Sequence, residues 1–414
     1  MSRLASFTAP LVLLALAGCG SSSDGSGSTS GSTSSSATSG THGSTSGTTG
    51  GSTTAGSTSS STGTHGSTTG SGSSSTTTTT GTSGSTGGTT GTYPAGWLYT
   101  SGAQILVADG NGGGSPWMGR GVNMDDLYLC GYDYTLWMTD PGQTLQNIAS
   151  GLVSAWHPTF VRVSLGMNSY PTVSSWTSNL SSYQAPMTAV INQLGATPGV
   201  YVLVTLRSDA SMIDGDTAAG AEPTLLPSDA SNTPDATNFP NGTDDTYRAI
   251  VDTFANSKFV MFGIANEPGG NTLSHQTLSA AMSHAVGTIR EEEDRLGVPH
   301  HLVSVQGNNW TSDISFYDSA PLAYDNVIYE VHGYPPDPSS YTFSHIPVII
   351  GEYGSLNDAS AFYADVEAKH IPNLAWDFEP YSDCSPDLLD ANQSDSNLVP
   401  TAWGSTVQAY LLAH

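Results

Sequence analysis

Two glutamates in the sequence end apolar runs that are otherwise typical of buried β-strands. The run FVMFGIANEP, residues 259–268, reaches Glu267 just before a proline, and PVIIGEYG, residues 347–354, carries Glu352 in the equivalent place. Only 11% of the chain is charged, so two carboxylates in matching positions indicate one shared site. One carboxyl group of such a pair can donate a proton to a leaving oxygen, while the other attacks carbon or activates water.

Eight apolar runs predict β-strands, and amphipathic patterns separate the early ones. Near-continuous apolar strands that alternate with helices are typical of a parallel sheet covered by helices. Eight such strands predict an α/β fold, the closed (β/α)8 TIM barrel. A doubly wound open sheet is the alternative, but GVNMDDLYLCG after the first run lacks the glycine-rich phosphate loop usual in that fold. The predicted strands are 119–123, 159–165, 200–206, 258–266, 301–307, 326–334, 347–354 and 373–378.

Apolar residues at helical spacing predict the helices of this barrel. A hairpin is expected before the first strand, around Asp109-Gly110-Asn111, where it could close the barrel floor. The acidic run 291–294 continues the fourth helix and is expected to be a solvated face. The predicted helices are 145–156, 187–195, 247–254, 278–289 and a closing helix at 403–411.

The barrel would bring the two glutamates to one place. Glu267 closes the fourth predicted strand and Glu352 the seventh, and active sites of such barrels lie at the carboxyl ends of the strands. These strands face each other across the barrel, so both carboxylates would flank one bond, which is the arrangement that glycosidases use. Arg162 is a charge within an apolar strand; we expect it to hydrogen-bond Glu352, and a purely structural ion pair is the alternative.

The elements IANEP, VHGY and GEYG, in that order, together with the tryptophan of LAWDF, resemble the pattern of glycoside hydrolase family 5, the cellulase family. This family belongs to a clan of barrels with catalytic glutamates on strands four and seven, and the resemblance extends over 97–414. It implies that Glu267 is the general acid/base and Glu352 the nucleophile, with retention of configuration. It also implies that Asn266 contacts the sugar 2-hydroxyl and that Trp376 stacks beneath the sugar at the reaction centre.

Three further residues are candidates for substrate binding. His332 and Tyr334 end the sixth predicted strand and would line the same cup, where Tyr334 could hydrogen-bond the nucleophile. Trp310 follows the fifth strand in GNNW and is interpreted either as a sugar platform or as a core residue. Acid/base and covalent catalysis need no cofactor, and no zinc-ligand spacing or Gly-x-Ser-x-Gly motif is present.

The third predicted strand departs from the family pattern. Family 5 enzymes commonly carry a histidine at its end, whereas VTLRSD places Arg207 or Ser208 there. A long segment, 207–242, follows, and a loop of this length in a compact fold is usually functional or mobile. Contacts to the sugar are therefore expected to differ from those of other members.

Composition restricts the class of partner. The chain of 414 residues has 9 Lys and Arg against 35 Asp and Glu, a net charge of −26, which excludes the basic patches of nucleic-acid binding and disfavours anionic polymers. We expect a monomer acting on a neutral β-linked polysaccharide, first as an endo-β-1,4-glucanase and next as a β-mannanase or another β-glycanase. A non-catalytic carbohydrate-binding surface protein is the alternative of another class.

The N-terminal 92 residues are predicted to lie outside the barrel. Residues 1–19 have one positive charge, an apolar core and the ending Leu-Ala-Gly-Cys, which resembles a lipobox with Cys19 as the lipidated residue. An ordinary cleaved signal is the alternative. Residues 20–92 are almost wholly Ser, Thr and Gly and predict a disordered tether, so the catalytic domain is 93–414. We expect an exported protein anchored by lipid to the outer membrane or cell surface.

The remaining cysteines form an even pair. Cys130 lies seven residues beyond Asn123 and Cys384 eight residues beyond Trp376, so both would lie in loops at one face of the barrel. The first and eighth strands are neighbours in a closed barrel, and an exported protein meets an oxidising compartment. We therefore predict a Cys130–Cys384 disulfide, with two free thiols as the alternative.

Overall fold

The structure is a computed structural model of the chain. Cys19, Cys130, Cys384, Ser208 and the side chain of Arg207 lie outside its described residues, so the predictions that rest on them stay predictions. The structure describes residues 92–127, 140–166, 176–177, 180–207, 243–268, 273–354, 356, 358–379, 385–390 and 398–414.

A small antiparallel sheet precedes the barrel and covers its floor. It consists of β1 (Leu98–Ser101), β2 (Gln104–Ala108) and β3 (Gly114–Pro116), in the order β1-β2-β3. Ile105 of this sheet and the adjacent Trp117 pack against Phe160 and Leu374 from the lower barrel interior. The hairpin predicted around Asp109 is therefore present, with one more strand than expected.

The predicted closed barrel of eight parallel strands is confirmed. Each strand pairs with the next along the chain, and β11 closes the barrel on β4, where Leu374 lies opposite Gly121. All eight predicted runs correspond to observed strands, with ends that differ by a few residues. The strands are β4 (Arg120–Asp125), β5 (Phe160–Gly166), β6 (Tyr201–Arg207), β7 (Val260–Ile264), β8 (Val303–Gln306), β9 (Val327–Gly333), β10 (Val348–Tyr353) and β11 (Asn373–Ala375).

Helices pack outside the barrel and bury apolar stripes against it. Side-chain oxygens cap several of them; Asp140, for example, accepts from the amide of Gln143 and is followed by proline. No helix within the described stretches is long and apolar enough to cross a membrane. The described α-helices are α1 (Pro141–Trp156), α2 (Ala185–Gly195), α3 (Thr243–Phe254), α4 (His275–Leu296), α5 (Ser315–Ser319), α6 (Ala359–Lys369) and α7 (Ala402–Leu412).

The acidic end of α4 is only in part the solvated face that the sequence predicted, since Glu291 and Asp294 are exposed. Glu292 and Glu293 are only 4% and 0% exposed. Glu293 accepts hydrogen bonds from Arg290 Nη1 at 2.5 Å and from Nδ1 of His301 at 2.8 Å. The last turns of α4 lie against the segment that leads into β8, so Glu293 meets buried donors, whereas Glu292 accepts from the exposed Arg295. A local pattern could not reveal this, because the contact depends on how the helix packs.

Midway along the barrel interior the side chains change from apolar to polar. Arg162, Thr205 and Glu330 are fully buried in this layer. Two strands carry glycine beside them: a β-carbon at Gly263 would lie 2.3 Å from Thr205 Oγ1, and one at Gly351 would lie 2.0 Å from Glu330 Oε1. Such distances are far below van der Waals contact, so only glycine leaves room for the polar layer.

We expect Gly263→Ala to lower the free energy of unfolding by about 1–3 kcal/mol, because the added methyl group overpacks against Thr205. Gly287→Ala in α4 is the matched control. Its β-carbon would meet only the Tyr324 side chain, the hydroxyl at 2.8 Å, which is at the surface and can move aside. Urea denaturation of both variants measures the difference, and an unchanged midpoint for Gly263→Ala would contradict the packing argument.

Candidate active site

Glu267 and Glu352 come together at the carboxyl-end mouth of the barrel. Glu352 lies near the end of β10, and Glu267 follows three residues after β7. One carboxylate oxygen of each, together with a ring nitrogen of His332, lie within 4.8 Å of one another. The Glu352 side chain is 6% exposed and that of Glu267 18%, so the pair is enclosed except on one side.

The backbone that carries Glu267 is strained. Ala265 and Glu267 both adopt left-handed φ angles, 61° and 48°, which cost non-glycine residues energy and are typical of functional sites. The amide of Glu267 donates to Oε1 of Gln306 at 2.5 Å, and this oxygen also accepts from Thr311 Oγ1 at 3.0 Å. Sequence reasoning missed Gln306; a buried polar residue at the end of an apolar run was the available signal.

Arg162 connects the nucleophile candidate to the rest of the polar layer. Its Nη1 donates to Glu352 Oε1 at 2.6 Å and to Asn123 Oδ1 at 3.1 Å, and its Nη2 donates to Asn266 Oδ1 at 2.7 Å. Its Nε lies 3.3 Å from Glu330 Oε1. Burial alone would lower the pKa of Arg162, but the attraction of Glu330 and Glu352 outweighs burial and raises it. The predicted contact with Glu352 is therefore present.

His332 lies between three carboxylates. Its Nδ1 is 2.8 Å from Glu267 Oε1 and 3.5 Å from Glu352 Oε2, and its Nε2 is 3.0 Å from Glu330 Oε1. Burial alone would lower the pKa of His332, but the three carboxylates raise it to about 9. The ring is accordingly an imidazolium at neutral pH, with both nitrogens donating to carboxylates.

The second oxygen of Glu352 has its own donor. The hydroxyl of Tyr334 donates to Glu352 Oε2 at 3.2 Å, although 52% of the Tyr334 surface is exposed. Burial of the hydroxyl, followed by the charges of Glu352 and Glu267, raises the pKa of Tyr334 well above its ordinary value. Glu352 is thus held at one oxygen by Arg162 and at the other by Tyr334.

The two predicted tryptophans differ in exposure. Trp376, directly after β11, is 9% exposed, whereas Trp310, after β8, is 41% exposed. Trp310 is therefore not a core residue, which was one of its two interpretations. It stands in a run of three left-handed residues, Asn309, Trp310 and Thr311, with φ of 52°, 51° and 60°. Such a run is costly for residues with a β-carbon.

Several buried acids were missed in the sequence, among them Glu330 and Asp377. Glu330 is fully buried on β9, and its pKa is lowered to about 2, because Arg162 and His332 outweigh the effect of burial. Asp377, next to Trp376, is also fully buried, and burial together with the charges of Asp125 and other carboxylates raises its pKa well above the usual range. The surroundings of Asp377 thus favour its neutral form, whereas those of Glu330 favour its anion. Both follow the signal that drew attention to Arg162, a charge within an apolar segment.

The cluster of Glu267, His332 and Glu352 has the ligand types and spacing of a divalent-metal site. Both ring nitrogens of His332 are engaged by carboxylates, however, so a metal ion bound to this ring would have to displace one of those contacts. We therefore interpret the cluster as a set of groups that hold and transfer protons.

Fold and site together define the class of the protein, which is a glycoside hydrolase built on a (β/α)8 barrel. The family model Cellulase (glycosyl hydrolase family 5) matches residues 117–382. This match covers more than half of the chain, and the chain therefore belongs to glycoside hydrolase family 5.

Solved structures of similar fold agree with this assignment. The cellulase Cel5C_n is 19% identical with a TM-score of 0.57, and the match covers 77% of this chain and 93% of that one. The β-glucanase SdGluc5_26A from Saccharophagus degradans is 17% identical, with a TM-score of 0.55 and coverage of 77% and 94%. A β-mannanase from Streptomyces thermolilacinus is 18% identical, with a TM-score of 0.52 and coverage of 77% and 96%. At these identities the likeness establishes the fold only.

His332 should stabilise the protein within a defined pH window. Its pKa of about 9 in the folded chain exceeds the value of about 6.5 expected after unfolding, so its contribution is full below about pH 6.5 and is lost as the pH rises through 9. Below about pH 6.5 we expect His332→Asn to be less stable than the parent by on the order of 3 kcal/mol. Urea denaturation across the interval measures the difference, and a gap that does not shrink with rising pH would refute the assignment.

Proposed function

We propose that the protein is a retaining glycoside hydrolase that cleaves β-linked neutral polysaccharide, with Glu352 as the nucleophile and Glu267 as the general acid/base. The observation that carries the proposal is the proximity of the two carboxyl groups, whose oxygens approach within 4.8 Å. Retaining enzymes need about 5–5.5 Å between the carboxyl groups, whereas inverting enzymes need about 6.5–9.5 Å to admit a water molecule.

The contacts of the two glutamates suit the first step of this reaction. Glu352 attacks the anomeric carbon while Glu267 donates its proton to the oxygen of the departing sugar, which gives a glycosyl ester on Glu352. Arg162 and Tyr334, which hold the two oxygens of Glu352, orient it for attack. In the second step Glu267 takes a proton from water, which then opens the ester.

Negative charge moves between the glutamates during the first step. Glu352 loses its charge when the ester forms, and Glu267 gains one when it gives up its proton. The His332 cation is 2.8 Å from an oxygen of Glu267 and 3.5 Å from one of Glu352, so it can stabilise the anion on either side. No large rearrangement is needed, because the donor is already oriented.

For the substrate, we propose a neutral β-1,4-glucan first and a β-mannan or another β-glycan next. A net charge of −26 favours an uncharged polymer. The exposed indole of Trp310 and the less exposed one of Trp376 provide flat apolar surfaces suited to sugar rings. Related structures have been solved with cellotetraose and with mannohexaose, so both backbones are represented among similar proteins. A monomer suffices, because one barrel carries both glutamates.

Sugar release by the purified chain tests the proposal. We expect one of β-glucan, amorphous cellulose, mannan, xylan and xyloglucan to be cleaved, with the β-anomer as the first product. Glu352→Ala should abolish release, and Glu267→Ala should lower it by at least about 10²-fold. Trp310→Ala should raise KM more than it lowers kcat. Binding to a polymer without release by the parent chain would instead support a non-catalytic carbohydrate-binding protein.

An activated substrate separates the roles of the two glutamates. A dinitrophenyl glycoside of the preferred sugar departs without protonation, so Glu267→Ala should still form the glycosyl ester and accumulate it. Glu352→Ala should form none. Mass spectrometry of the intact protein detects the added sugar, and equal loss of the ester in both variants would contradict the assignment of roles.

We also propose that the protein is exported and anchored by lipid at Cys19, on an outer membrane or cell surface. The motif Leu-Ala-Gly-Cys and the Ser/Thr/Gly segment of 20–92 support this. Labelling of cells with a radioactive fatty acid should mark the parent chain and leave Cys19→Ala unlabelled. Equal labelling of both would favour an ordinary cleaved signal or another attachment site.

A further inference from the structure

Glu330 is a buried carboxylate for which the reaction steps above have no use. It lies on β9, two residues before His332, and its side chain is fully buried in the polar layer of the barrel. It has no route to the sugar, because Arg162 and His332 stand between it and the two catalytic carboxylates. An ionised carboxylate without access to substrate or solvent is expensive to bury, so its contacts need a physical reason.

Those contacts are divided between the two cations of the site. Glu330 Oε1 lies 3.0 Å from His332 Nε2 and 3.3 Å from Arg162 Nε, and Glu330 Oε2 accepts from Ser304 Oγ at 2.7 Å. On the side away from Glu330, each cation contacts a different glutamate. Arg162 contacts Glu352 at 2.6 Å, and His332 contacts Glu267 at 2.8 Å. Glu330 therefore contacts both cations on their sides opposite Glu352 and Glu267.

The backbone also reserves space for this carboxylate. A β-carbon at Gly351, the residue before Glu352, would lie 2.0 Å from Glu330 Oε1 and 2.5 Å from its carboxyl carbon. Strand β10, which carries Glu352, therefore needs glycine at position 351 to leave room for Glu330. A smaller or displaced side chain at position 330 would leave a void. It would also take away an anion that Arg162 and His332 share.

We propose that Glu330 is a positioning residue of the reaction, which holds Arg162 against Glu352 and holds His332, as an imidazolium, against Glu267. The inference rests on the proposed roles of Glu267 and Glu352. A single carboxylate holds both cations because its Oε1 accepts from His332 and forms an ion pair with Arg162 Nε, whose hydrogen bond goes to Thr205. Its other oxygen is fixed by Ser304. It thereby sets the distance between the nucleophile and the acid without contact to either.

A neutral amide could not replace it. Glutamine has the same shape but has one accepting oxygen and an NH2 group that would point at Ser304 or at a cation. Removal of the charge also removes the anion that His332 Nε2 contacts, one of three carboxylates that raise the pKa of His332; Glu352, which raises it most, and Glu267 remain. Without that anion the ring is held on one side only, and its contact with Glu267 is weakened.

The test compares Glu330→Gln with Glu293→Gln in the full chain. Glu293 is a matched control, because it is also fully buried and accepts from an arginine and a histidine, Arg290 and His301, at the floor of the barrel. Both variants lose one buried charge and should lose stability. Only the substitution at Glu330 should act on the chemistry.

Two readouts decide the matter. The first is the titration midpoint of His332, measured by NMR. Its resonance is assigned as the one that is absent from the spectrum of His332→Asn. We expect this midpoint to fall from about 9 by at least about one unit in Glu330→Gln. The second is a fall of kcat on the order of 10²-fold with KM nearly unchanged, as for a misplaced catalytic group. Glu293→Gln should leave the His332 midpoint, kcat and KM as in the parent.

A normal midpoint or a normal kcat in a folded Glu330→Gln variant would overturn the proposal. If that variant does not fold, Glu330→Asp is measured instead, since it keeps the charge but withdraws it by one methylene; unchanged readouts there would also overturn the proposal. Activity that survives in Glu352→Ala would refute the proposed function itself. Inactive Glu352→Ala with unaffected Glu330 variants would refute this inference alone.

Discussion

The guanidinium of Arg162 carries its charge into the closed centre of the barrel, and the geometry of the mouth follows from how that charge is balanced. A buried ion without partners costs several kcal/mol, so the surrounding strands must each supply an acceptor. Asn123, Asn266 and Glu352 do so from three different strands or strand ends. Because the guanidinium is planar and rigid, the three oxygens are also fixed relative to one another. The nucleophile candidate is therefore positioned by the same contacts that make the charge tolerable.

Much of this architecture could be predicted from the sequence, because it depends on local patterns. The eight apolar runs and the glutamates at two of their ends follow from periodicity and from the rule that barrel sites lie at carboxyl ends. Glu330 and Gln306 were missed because their importance depends on what neighbouring strands place beside them. The same limit explains Glu293, which a helical pattern places at the surface and tertiary packing buries. Local patterns contain no information about strand register or about how a helix end docks.

The barrel contains two sets of buried glutamate, arginine and histidine, one at each end. At the floor, Arg290 donates its remaining hydrogen bonds to backbone carbonyls, among them that of His301 at 3.0 Å. At the mouth, the corresponding bonds of Arg162 go to side chains, one of them a carboxylate that the proposed reaction would neutralise and restore. The floor set ties a helix to the sheet, whereas the mouth set connects groups whose charges can change. This agrees with the general division of TIM barrels into a stabilising face and a reactive face.

Because several arginines are buried or paired, few basic side chains remain to offset the negative charge of the outer surface. Arg162 and Arg290 are buried, and Arg120 is held in a two-pronged contact with Glu367 at 2.5 and 2.6 Å. Of only 9 basic side chains, at least these three are thus occupied, and although some of the 35 acidic ones are buried as well, the outward field is negative. A polysaccharide made soluble by carboxymethyl groups would approach against that field, which salt screens within about 10 Å at 0.1 M, whereas an unmodified glucan would not. The relative rates of cleavage of the two substrates would then depend on the ionic strength of the buffer as much as on the fit of the sugar.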